Sequence, residues 1–78
     1  MNNKNEVHEM YIQFEDNIIF PNKIVSISEV KLDIFRINLM GGHSIDLKFY
    51  DDTNKDSEKN AKRSRDELLD MIDEFYGK

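Results

Sequence analysis

Over the first fifty positions apolar and polar residues alternate in short runs, and after Tyr50 the pattern changes to one of longer period. A period of two marks strands with one face turned to a core. In "HEMYIQF" the residues Met10, Ile12 and Phe14 share one face, which predicts a first strand. Glu15-Asp16-Asn17 interrupts it with good turn chemistry. "IIF" follows as a short second strand, ended by Pro21-Asn22 because proline has no amide hydrogen for a ladder. "KIVSISEV" reads as a third strand, with Val25 and Ile27 alternating against Ser26 and Ser28. A turn is expected around Glu29-Val30-Lys31, although neither glycine nor proline marks it.

The stretch "FRINLMGGHSIDLKFY" predicts a hairpin. Phe35, Ile37 and Leu39 share one face on the way in, and Ile45, Leu47 and Phe49 share one on the way out. A two-residue Gly-Gly turn would set Ile37 against Asp46 and Phe35 against Lys48. That register is wrong throughout, because a slip of one residue exchanges a strand's faces. A three-residue loop, Met40-Gly41-Gly42, pairs Ile37 with Ile45 and Phe35 with Leu47, and Gly42 suits the left-handed position that closes such loops. Backbone geometry therefore accounts for the glycines. A phosphate-binding loop would run from a strand into a helix N-terminus, and here a strand follows.

In "DDTNKDSEKNAKRSRDELLDMIDEFYGK" the alternation is gone. Ala61, Leu68, Ile72 and Phe75 fall on one helical stripe, widened by Leu69, Met71 and Tyr76. Thr53, Asp56 and Ser57 are candidate N-caps, and Gly77 suits a stop. With Ala61 as its only apolar residue, the first half of this helix is expected to pack weakly. The fold class expected is α+β, with an antiparallel sheet of about four strands and one C-terminal amphipathic helix packed on one face. The chain reads as a single domain, 1–78, with residues 1–6 disordered, 7–50 in the sheet and 53–76 in the helix.

Composition narrows the chemistry. The chain has 78 residues, no cysteine and a formal net charge of −5. Disulfides and thiol chemistry are excluded. No apolar run approaches the roughly 20 residues a membrane helix requires, and no leader peptide is visible in "MNNKNEVHEM", so a cytoplasmic protein without membrane partners is expected. The acidic balance argues against general affinity for phosphate backbones. His8 and His43 are the only histidines, and each reads as a surface residue near a turn. Asp51-Asp52 lacks the further oxygen ligands of a cation site. No catalytic, cofactor-binding or metal-binding residue is assigned, and no enzymatic activity is expected.

Two charged tracts remain. Asp66, Glu67, Asp70, Asp73 and Glu74 cluster in the second half of the helix, where acids oppose the macrodipole and repel one another at a spacing of four. They are candidate contacts for a basic protein partner, with Tyr11 and Tyr50 as candidate anchors on the outer sheet face. The bland alternative is a solvated helix face, neutralised by Lys62–Asp66 and Arg63–Glu67 pairs. Lys59, Lys62, Arg63 and Arg65 form a basic segment that supports a second reading, a nucleic-acid binder, though no aromatic residues are interleaved for base stacking. A third is self-association, with sheet edges or helices paired across a two-fold axis to form a homodimer.

The tract "KIVSISEVKLDIFRINLMGGHSIDLKF" is similar in pattern to small bacterial proteins that carry "I-x-x-I … I-x-L-x-x-G-x-x-I-x-L" before a helix. The matching positions are Ile24, Ile27, Ile37, Leu39, Gly42, Ile45 and Leu47, all structural. In size, charge and lack of catalytic groups the chain also resembles acidic inhibitors encoded by phages and mobile elements, anti-CRISPR proteins among them. That resemblance implies action by binding and blocking, and it transfers no functional residue.

Overall fold

A computed structural model of the chain describes residues 5–49 and 56–77. It is α+β, but the strands form two antiparallel sheets of three rather than one sheet of about four. The first sheet holds β1 (Glu6–Val7), β2 (Ile12–Phe14) and β3 (Asn17–Ile19). The second holds β4 (Ile24–Ile27), β5 (Ile34–Leu39) and β6 (Ser44–Lys48). The helix α1 spans Ser57–Tyr76. The division falls at Pro21. Buried Pro21 opens a single 3-10 turn, Pro21–Lys23, and the chain leaves it in a different sheet.

The expected strand over 8–14 is shortened to Ile12–Phe14, and residues 8–11 form a turn from β1. Val7 pairs with Ile12, and the His8 amide donates to the Tyr11 carbonyl at 2.8 Å to close the turn between them. Met10 sits in that turn and is 71% exposed, rather than sharing an inward face with Ile12 and Phe14. Glu6, expected within a disordered segment, lies in β1.

The hairpin of β5 and β6 has the register that side-chain alternation requires. Phe35 pairs with Leu47, Ile37 with Ile45, and the Leu39 amide reaches the His43 carbonyl at 2.8 Å across the Met40–Gly42 loop. Gly41 and Gly42 both take positive φ, 83° and 79°. The positive φ disfavours a side chain at Gly41, where a Cβ would also lie 3.3 Å from the ring of exposed His43 and push it slightly aside. The preceding turn falls at Leu32-Asp33, later than the 29–31 expected, with Lys31 and Ile34 exchanging both backbone hydrogen bonds. Its left-handed position is filled by a leucine at φ 60°, which is why no glycine announced it.

The helix unites the two sheets. Leu68 and Met71 bury against Ile12, Phe14 and Ile19 of the first and Phe35, Ile37 and Leu47 of the second. Its first half does not pack weakly, because Ala61 is fully buried and Ser64 nearly so. Leu69 and Tyr76, expected to widen the apolar stripe, are exposed instead. Thr53 lies outside the described residues. Among those described, no helix is long and apolar enough to cross a membrane.

Candidate functional site

The outward face of α1 follows from the inward one. With Ala61, Ser64, Leu68 and Met71 turned in, the helical period of 3.6 carries Lys59, Arg63, Asp66, Asp70 and Asp73 to the far side. Asp66, Glu67, Asp70, Asp73 and Glu74 are all exposed. The structure thus brings the five carboxylates together along nine consecutive residues of one surface.

Their partners differ. Glu67 accepts a hydrogen bond from the Asn5 side-chain amide at 2.9 Å. Neither the Lys62–Asp66 nor the Arg63–Glu67 pair closes, and among the described residues Asp66, Asp70 and Asp73 have no cation within ion-pair distance. No basic residue occupies the last helical turn, where one would favour the macrodipole.

The basic segment is less available than its sequence suggests. Lys59, Lys62 and Arg63 are exposed. Arg65 is half-buried and turned toward the strands. Its Nε donates to the Ser28 carbonyl at 2.7 Å, and an Nη approaches the Ile27 carbonyl at 3.5 Å. Arg65 therefore closes the end of β4 instead of joining the surface cations.

Tyr11 is half-buried and not on a sheet face. Its ring stacks on His8 at 4.5 Å and leans against Phe20 at 6.2 Å. Tyr50 lies outside the described residues. Phe20, the last residue of the expected strand "IIF", is 46% exposed, since β3 ends one residue earlier and the chain turns at Pro21. With Ile18, Leu39 and Met40 it lines a depression of about 440 Å³ beside the glycine loop. The alternation in "IIF" carried a warning of this: Ile18 and Phe20 share a face, and Ile19 alone turns inward.

On the outer face of the second sheet, Arg36 and Asp46 stand directly opposite and form a two-pronged ion pair at 2.6 and 3.2 Å. Hydrogen bonding from Arg36 holds the Asp46 carboxyl below its ordinary range and the guanidinium above its own. Among the described residues no group of three His, Cys, Asp or Glu side chains is gathered as cation ligands would be.

Comparison with protein families, curated proteins and solved structures finds no match for the chain. The reading of its function rests on the geometry above.

Proposed function

We propose that this protein is a non-enzymatic interaction module that binds a basic protein surface through the outward face of α1. One observation carries the reading. Asp66, Asp70 and Asp73 are exposed, close in space and without a cationic partner among the described residues. They repel one another at spacings of three and four, and the nearby C-terminal end of the helix dipole adds to the cost. A basic partner removes that repulsion when it docks. The mode of action this suggests is occlusion of a surface, the manner of the phage-encoded inhibitors that the chain resembles in size and charge.

A titration followed by amide chemical shifts tests the reading. A short lysine-rich peptide at low salt should move the amides of Asp66, Asp70 and Asp73 and leave the β5–β6 hairpin still. Shifts spread evenly over the molecule, or none, reject it. The nucleic-acid reading now depends on Lys59, Lys62 and Arg63, since Arg65 is turned to the backbone of β4. A single-stranded probe that shifts those three amides, with affinity falling steeply as salt rises, would favour it.

A further inference from the structure

Each sheet of the protein has two outer strands, and three of the four are protected. β1 is two residues long and β3 three, too short to template another chain. β4 carries a register shift between Ile24 and Ser26, and Arg65 occupies the carbonyls at its end. β6 differs: five residues, regular pairing to β5 on one side, and no backbone partner on the other among the described residues.

The direction of its backbone groups can be read from the pairing. The His43 carbonyl accepts from the Leu39 amide and the Phe49 amide donates to the Asp33 carbonyl, so the odd-numbered positions of β6 face β5. The amide hydrogens and carbonyls of Ser44, Asp46 and Lys48 therefore point outward from the sheet edge. Their side chains are exposed on the outer face, while Ile45 and Phe49 are only half-buried on the inner one.

The geometry points to a second copy of this chain as the occupant of that edge, paired antiparallel about a two-fold axis at Leu47. In this register Asp46 of each chain faces Lys48 of the other, and each such pair exchanges two backbone hydrogen bonds. Leu47 meets its own counterpart, and Ile45 meets Phe49, so the apolar face continues across the junction. The neighbouring register, with Asp46 opposite Asp46, would oppose like charges and is disfavoured. The pair Asp46 and Lys48 on β6 is thus self-complementary in one alignment, and the result is a continuous six-stranded sheet.

Amide hydrogen exchange on the unmodified protein tests this, together with sedimentation from micromolar to millimolar concentration. A dimer is expected at the upper end, where the amides of Asp46 and Lys48 should exchange about tenfold more slowly or better, while Ile45 and Leu47 stay slow throughout. Lys48→Glu sets two carboxylates against each other across the axis and should return the protein to a monomer with an unchanged circular dichroism spectrum. A monomer at every concentration overturns the proposal. So does a dimer in which the Asp46 and Lys48 amides remain fast, or one that Lys48→Glu leaves intact.

Discussion

Asn5 and Glu67, 62 positions apart in the chain, are joined by a hydrogen bond of 2.9 Å. The same Asn5 side chain accepts the amide hydrogen of Glu15 at 2.9 Å. Glu15 and Asp16 both take left-handed backbone conformations, at φ 46° and 66°, in the tight turn between β2 and β3. One asparagine therefore holds a strained turn and ties it to the helix. Asn5→Ala should lower stability by about 1–2 kcal/mol, the loss expected when such bonds go and an amide is left without its acceptor. Urea unfolding measures this, and an unchanged midpoint would show that the turn holds itself.

Leu32 is the second strained position. It sits at φ 60° and is 79% exposed, so it gains little burial in return for a conformation that glycine adopts freely. Leu32→Gly should raise stability by about 1 kcal/mol, the usual cost of the left-handed region for a residue with a Cβ. Thermal unfolding reads the sign, and a lower melting temperature would contradict the account.

The Arg36–Asp46 pair gives a pH dependence of definite direction. The folded-state pKa of Asp46 lies below its unfolded value, chiefly through hydrogen bonding from Arg36. Its contribution is therefore present above the unfolded pKa, about 3.9, and is lost as pH falls through the lower folded one. Asp46→Asn should be less stable than the parent at neutral pH, and the two curves should converge in acid. Curves that stay parallel down to the acid limit would contradict this.

The carboxylates of α1 predict an inverse effect. Replacing Asp66, Asp70 and Asp73 by Asn relieves repulsions at three- and four-residue spacing. With each relief worth a few tenths of a kcal/mol at low salt, the melting temperature should rise by about 2–6 °C in a domain of this size. The gain should shrink as salt is added. A fall in melting temperature would mean that these groups are satisfied in the free protein.

What the sequence made legible was the local geometry. The β5–β6 register followed from Phe35, Ile37, Ile45 and Leu47, because of the two- and three-residue loops only the latter puts them on a common face. The inward stripe of α1 was readable in part from the helical period: Ala61, Leu68 and Met71 turn in, Leu69 and Tyr76 do not, and buried Ser64 was missed because hydrophobicity does not mark it. The division into two sheets was not readable. It depends on where the chain goes after Pro21, which no periodicity records. The turn at His8–Tyr11 was missed, and the one expected at 29–31 was placed too early, because both use residues that ordinarily avoid turns, held by backbone hydrogen bonds rather than by glycine. Within the candidate site, the acidic face was visible as spacing, whereas Arg65 could be removed from the basic surface only once Ser28 was seen beside it.

Partner capture by the immobilised protein, compared at low salt between the parent and the variant carrying Asp66→Asn, Asp70→Asn and Asp73→Asn, tests the central claim most directly. The parent should retain a basic protein that the folded variant releases. Equal retention by both would show that the acidic face of α1 does not make the contact.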